Sequence, residues 1–275
     1  MARIGSSMLV FPRFTGFIKR LILANLAVYF GLLILGAINP PMGGSISALF
    51  SLIPAAVARG FIWQLVTYSF VHHGILEIAF NMLSLWFIGT YIEDVKGSRW
   101  VTEIYFLAVV GGAVIGTVLC FLHLPHLSPV DLDAGAQSGI FALLAAFAVL
   151  FGEQQFMLFP LPIGIKAKYL VIIYALIALA SLFGGGSILP IVVYLSGGLL
   201  GFVYARQARG RGLSFVASER MYGMRNEYYR WKRRRAARKF EVYMRKHDRE
   251  VTFDREGRYV DPDERKDPND RKWMN

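Results

Sequence analysis

Cysteine, histidine and charge are the scarce elements of this sequence. Its 275 residues contain one cysteine, Cys120, set inside an apolar run. A lone thiol excludes an internal disulfide framework and a four-cysteine metal site, and leaves the role of a small buried hydrophobe. Five histidines occur, none of them between residues 127 and 246. The adjacent pair His72 and His73 lacks a third ligand nearby and is a weak metal motif. His123 and His126 share an outer loop with Asp131 and Asp133, which reads as an exposed polar loop. No metal and no cofactor are expected. Charged residues make up 18% of the chain, against about 25% in an ordinary soluble domain. Residues 1–205 hold nine Lys/Arg against seven acids, so nearly all of the formal +11 lies in residues 206–275.

What is abundant is apolar. Hydrophobic residues are 55% of the chain and the mean hydropathy is +0.44. A spanning helix needs about 20 mostly apolar residues, and six segments qualify or nearly do: Ile18–Ile38, Ile75–Ile92, Val101–Phe121, Ser138–Phe151, Ala167–Phe183 and Ile188–Tyr204. The fourth is short, so its irregular approach must be shielded by protein. The N-terminal apolar run lacks a small-residue cleavage site and reads as a retained span rather than a signal peptide. The expectation is an all-α, six-span bundle over residues 18–205, a cytoplasmic segment at 1–17 and a basic, partly helical tail at 206–275.

The loops set the orientation. With the N-terminus inside, the inner segments hold Arg3, Arg13, Lys19, Arg20, Lys96, Arg99, Lys166, Lys168 and the tail, and the outer segments hold only Arg59. This positive-inside bias puts both termini in the cytoplasm, and we expect a bacterial inner membrane. Glycines four apart, Gly112 with Gly116 and Gly197 with Gly201, form seams for close helix packing; a groove that grips a ligand is the alternative. In the tail, Lys232, Arg233, Arg234, Arg235, Arg238 and Lys239 follow closely on a membrane span. That position favours anionic lipid over nucleic acid, with a solvated, partnerless helix as the alternative. The charged, Pro-containing stretch beyond it reads as flexible.

From Ile62 to Trp100 the sequence IWQLVTYSFVHHGILEIAFNMLSLWFIGTYIEDVKGSRW resembles the first outer loop and second helix of the rhomboid intramembrane proteases. Their pattern there is Trp with Gln or Arg, then LxTxxFxH, HxxxNM, and a G-x-x-x-E segment ending in GS. The likeness continues through GAQSGIFALLAAFA and IKAKYLVIIYALI to YLSGGLLGFVYAR, covering about residues 15–206. It implies a six-helix fold whose active members cut transmembrane helices. They use a Ser at the head of the fourth helix, a His on the sixth, and an Asn and a His on the second that stabilise the oxyanion.

Against that pattern the chemistry is broken. Asn81 is kept, but the His one turn earlier is Glu77, whose carboxylate would repel an oxyanion. The ungapped match puts Gln137 at the nucleophile position and Ser138 where the family has Gly; a register slipped by one residue would restore Ser138 as a fallback nucleophile. Tyr194 stands in place of the His base, and a phenol with an ordinary pKa near 10 is a poor base at neutral pH. His72 matches a loop His that the family often keeps, with a structural role.

Glu77 reads as the acid of the membrane core that cannot snorkel, hence a functional candidate with Gln137 and Tyr194 as its partners. Mutual satisfaction of these three groups is the alternative. The resemblance thus implies a pseudoprotease that binds transmembrane helices of clients at Glu77, Asn81, Gln137 and Tyr194 and acts in membrane-protein quality control. Its tail would engage anionic lipid or a cytoplasmic or membrane-associated partner. An active serine endopeptidase using Ser138, and a small-molecule or lipid handler using the Glu77 pocket, are the other readings.

Overall fold

The computed structural model describes residues 14–122, 124–153, 155–157, 164–180, 187–207, 213–247, 251–254 and 257–260. Within them the protein is mainly helical, and it divides into two units, residues 1–212 and 213–275.

The first unit begins with α1 (Gly16–Ile38), which buries one stripe of Ile18, Leu21, Ile22, Asn25 and Tyr29. Its remaining faces expose Leu23, Phe30, Leu33 and Ile34, as a helix bathed in lipid would, because no polar face is needed there. Short helices α2 (Pro40–Phe50), α3 (Pro54–Ala58) and α4 (Gln64–Thr67) fold the loop between the first two spans. Gln64 holds that loop together: its Oε1 accepts from the Ile53 amide at 3.0 Å and its Nε2 donates to the Leu49 carbonyl at 3.1 Å. The second span is continuous from Ile75 to Lys96. It runs as α5 (Ile75–Ser84), a π-helical turn over Leu85–Gly89 and α6 (Thr90–Lys96).

Three helices make the core: α7 (Ser98–Cys120), α8 (Gln137–Phe151) and α10 (Leu189–Gln207). All ten residues from Ser138 to Phe147 are buried, so α8 is the axis around which the others pack. The glycine seams let them close. A Cβ at Gly112 would stand 2.7 Å from both the Ser138 hydroxyl and the Val193 carbonyl, and one at Gly201 would overlap the backbone of Ala142. Helix packing is therefore what these glycines do.

Among the described residues four helices are long and apolar enough to cross a membrane: Gly16–Ile38, Ile75–Lys96, Ser98–Cys120 and Leu189–Gln207. The other two expected spans are shorter apolar helices, α8 with 15 residues and α9 (Ala167–Ala180) with 14. The end of the expected fifth span, residues 181–183, lies outside the described residues. An antiparallel pair, β1 (Gln155–Met157) with β2 (Gly164–Lys166), lies between α8 and α9.

One acid does work that the sequence reading did not assign. Glu93 is buried and accepts from the amides of Phe17 (2.6 Å) and Ile18 (3.0 Å), and from the Ser98 hydroxyl. A carboxylate there satisfies the free amides at the start of α1 and sits at the positive end of its dipole.

The second unit contains α11 (Leu213–Arg245) and a small antiparallel pair, β3 (Thr252–Phe253) with β4 (Tyr259–Val260). Part of the stretch read as flexible is thus ordered. The reason is apolar: Phe253 meets Phe240 edge-on with ring centroids 6.2 Å apart, and Ala237 is buried.

Candidate functional site

The polar groups meet where the loops before α5 and α8 reach the heads of α5, α8 and α10. Glu77 lies in the first turn of α5. It is the third residue of the span Ile75–Lys96. At a helix N-terminus a carboxylate is favoured by the dipole and by free amides. Its Oε2 accepts from the His73 amide at 3.3 Å, and its Oε1 accepts from Gln137 Nε2 at 3.2 Å. Gln137 is thus a direct partner of Glu77. Tyr194 is not: its hydroxyl donates to Asp133 Oδ1 at 3.1 Å, and its ring stacks on Phe141.

Asp133 is the residue that sequence reasoning missed. Placed among exposed loop residues, it is instead 1% exposed. Its backbone explains why. Asp133 and Leu52 exchange both amide–carbonyl bonds as an isolated antiparallel bridge, at 2.9 and 3.0 Å. Two residues on, the Gly135 amide donates to the Tyr68 carbonyl at 2.9 Å. The loop is therefore pinned inward. Burial pushes the Asp133 carboxyl up to about 7, in spite of the lowering bond from Tyr194. The available signal was the small-residue run AGAQSG directly after Asp133, which lets the backbone enter a crowded corner. Asp131, by contrast, stays with its loop, accepting from the Ser128 amide and the Ser187 hydroxyl. His123 lies outside the described residues.

At the head of α8 two adjacent side chains face different ways. The Ser138 side chain is fully buried and its single hydroxyl proton is directed at the carbonyl of Ala108 (2.9 Å), with that of Val193 also in reach (3.3 Å). It faces α7 and α10. Gln137 faces α5. Gly135 holds the turn at φ +118°, and a Cβ there would lie 2.8 Å from Glu77 Oε1 and still closer to Gln137 Oε1. Only glycine fits. Tyr68, fully buried, donates to the Val109 carbonyl at 2.9 Å and closes the base of the cluster.

His72 is buried in the loop before α5, and burial holds its imidazole below the ordinary histidine value. Its Nδ1 stands 3.3 Å from the Phe70 carbonyl. A carbonyl only accepts, so in the neutral ring Nδ1 carries the hydrogen and Nε2 keeps a lone pair. Several buried polar atoms have no partner: His72 Nε2, Asn81 Nδ2, Asp133 Oδ2 and Gln137 Oε1. Such orphans each cost stability.

Chemically, the cluster accepts hydrogen bonds and holds carboxyl groups. Among the described residues no hydroxyl or thiol is hydrogen-bonded to a histidine, and no group of three or more His, Cys, Asp or Glu is set to hold a metal.

A short buried helix headed by GAQSG, facing an Asn81-bearing span and the YLSGG helix, defines a rhomboid-like integral membrane protein. Residues 20–231 match the family described as eukaryotic integral membrane protein (DUF1751), and the chain belongs to that family. It is also similar to the rhomboid protease GluP of Bacillus subtilis, 34% identical over 37% of this chain and 18% of that protein. Two Arabidopsis thaliana proteins are similar as well. The inactive RHOMBOID-like protein 8 is 28% identical over 40% of this chain and 31% of its own. Rhomboid-like protein 19 is 26% identical over 58% and 53%. The chain thus spans between about a fifth and a half of the length of these relatives.

Proposed function

We propose that this protein is a rhomboid-like pseudoprotease that binds transmembrane helices of client proteins and serves as an adaptor in membrane-protein quality control. The observation that carries the reading is the state of Ser138. Its hydroxyl is directed at backbone carbonyls of neighbouring helices, with Gln137 presented to the polar cluster in its place. An activated serine needs a base on its proton; the residue at the base position, Tyr194, is itself a donor to Asp133. The similarity to a plant protein named inactive supports the same reading. The client seat comprises Glu77, Asn81, Gln137 and Tyr194, to which Asp133 is added.

The bundle in this reading has six membrane segments, the two short ones shielded by their neighbours, and both termini in the cytoplasm. The match to the Bacillus protein supports a bacterial inner membrane; the family's eukaryotic description speaks for a eukaryotic one. The basic residues Lys232, Arg233, Arg234, Arg235, Arg238 and Lys239 are all exposed on α11, as contact with anionic lipid or an acidic partner requires. A serine-reactive fluorophosphonate tests the central claim. The protein in detergent is expected to remain unlabelled. Labelling that Ser138→Ala abolishes would restore the protease reading.

A further inference from the structure

In the second unit α11 presents two unlike sides. One carries the hairpin of β3 and β4. Phe253 meets Phe240 there, Ala237 is buried, and a Cβ at Gly257 would stand 2.9 Å from the Arg234 backbone nitrogen. The other side is bare. An α-helix turns about 100° per residue, so Tyr228, Trp231, Arg235, Arg238 and Val242, spaced by three and four, share a stripe. Lys239 and Lys246 fall in the same sector of about 100°. All of these side chains are exposed, and the sector lies roughly opposite Ala237, Phe240 and the hairpin.

The stripe has one sign of charge. Glu227 and Glu241 fall outside the sector, and Glu241 accepts from Arg245 at 3.4 Å. Its rings are organised as well: Tyr228 and Trp231 stack with centroids 6.1 Å apart, and the Arg235 guanidinium lies 5.4 Å from the centre of the Trp231 ring. Rings and cations thus alternate over about 27 Å of helix. A protein partner is held by anchors clustered at the centre of a contact, whereas these groups are strung along a convex line. A flat surface, anionic above and apolar beneath, meets all of them at once. That is the headgroup region of a bilayer containing anionic lipid, where Trp and Tyr are favoured and basic amphipathic helices lie in the plane. The spanning helix α10 ends at Gln207, so the connection from there to Tyr228 keeps a bilayer within reach of the stripe.

Resting on the lipid reading of the tail given above, and narrowing it to one partner and one face, we propose that α11 lies in the surface of an anionic bilayer along the stripe of Tyr228, Trp231, Arg235, Arg238 and Val242. The rings of Tyr228 and Trp231 insert among the headgroups, the flanking cations meet the phosphates, and the β3–β4 hairpin faces water. Lys232, Arg233 and Arg234 lie outside the sector. They strengthen the attraction at a distance, which salt screens, and take no part in the insertion.

The test uses the full chain, carrying Cys120→Ala, in phosphatidylcholine nanodiscs, offered vesicles of phosphatidylcholine with phosphatidylserine. A fluorophore is attached at Val242→Cys or at Glu241→Cys, adjacent positions of which only the first lies in the stripe, and the vesicle lipids carry a shallow nitroxide quencher. The probe at Val242→Cys is expected to be quenched about threefold more than the probe at Glu241→Cys. Tyr228→Ala with Trp231→Ala should weaken vesicle binding about tenfold. Tyr222→Ala with Tyr229→Ala removes rings of similar exposure from the hairpin side and should leave binding unchanged. Equal quenching at the two positions would overturn the oriented face and leave the electrostatic attraction standing. Failure to bind phosphatidylserine vesicles at low salt would overturn both. Preference for a polyglutamate peptide over the vesicles would overturn the choice of lipid. The quenching comparison keeps Tyr228 and Trp231 intact, so it decides the orientation even if the ring variants unfold α11.

Discussion

Asp133 offers the sharpest quantitative test, because its loop lies outside the spanning helices and its burial is complete. The carboxyl is raised from the ordinary 3.8 to about 7, and each unit of difference corresponds to about 1.4 kcal/mol between the two protonation states. A raised acid binds its proton more tightly folded than unfolded. Its contribution is therefore fully present below the unfolded value near 4 and is lost as pH rises through the folded value near 7. Between pH 5 and pH 7 the folded state should lose roughly 2 kcal/mol. For a unit of this size that is a fall of about 4–8 °C in melting temperature. Asp133→Asn keeps the acceptor for Tyr194 and cannot ionise, so its stability should stay level over the same range and exceed the wild type above pH 7. The assay is thermal unfolding in detergent followed by tryptophan fluorescence, at half-unit steps from pH 5 to 8. Parallel curves for the two proteins would refute the reasoning, since they would mean that Asp133 is already ionised in the fold.

Two further perturbations bear on the site and the tail. Gly135→Ala forces a side chain into the left-handed region at φ +118° and against the Glu77 and Gln137 oxygens; a loss of about 2 kcal/mol or more in the same unfolding assay is expected. The full-length protein in nanodiscs should hold acidic lipid vesicles through α11 and release them as salt rises, and replacing Lys232, Arg233, Arg234 and Arg235 with Gln should abolish the effect. Vesicle capture that is indifferent to both salt and these replacements would remove the electrostatic account.

Much of the fold was legible because a bilayer imposes a simple rule: long apolar runs cross it. The runs at Ile18, Ile75, Val101 and Ile188 became full-length helices, within a few residues of their expected starts. The short run at Ser138 became the central helix, whose ten buried residues need no lipid-facing surface and no full crossing length. The pair of strands on Thr252–Phe253 and Tyr259–Val260 was missed because composition hides one good contact, Phe240 with Phe253, among many charges.

The site was legible to the extent that its partners lie on the spans. Glu77 and Gln137 do meet. What could not be read was the return path of the loop before α8, since a single backbone bridge, Leu52 to Asp133, leaves no periodic trace in the sequence. That bridge changes the meaning of Tyr194. Without it, a tyrosine at the base position is merely a poor base. With it, the phenol donates to a buried carboxyl that the loop carries in, and the loop is fastened to α10 at the position that the resemblance matches to the base of the active proteases. The substitutions at Gln137 and Tyr194 are therefore coupled to a second hydrogen-bond system, running from His73 through Glu77 to Gln137 and from Tyr194 to Asp133. Restoring a serine and a histidine at these two positions alone should accordingly take the Gln137 donor from Glu77, which keeps the His73 amide, and the Tyr194 donor from Asp133, so both acids would have to be accommodated anew.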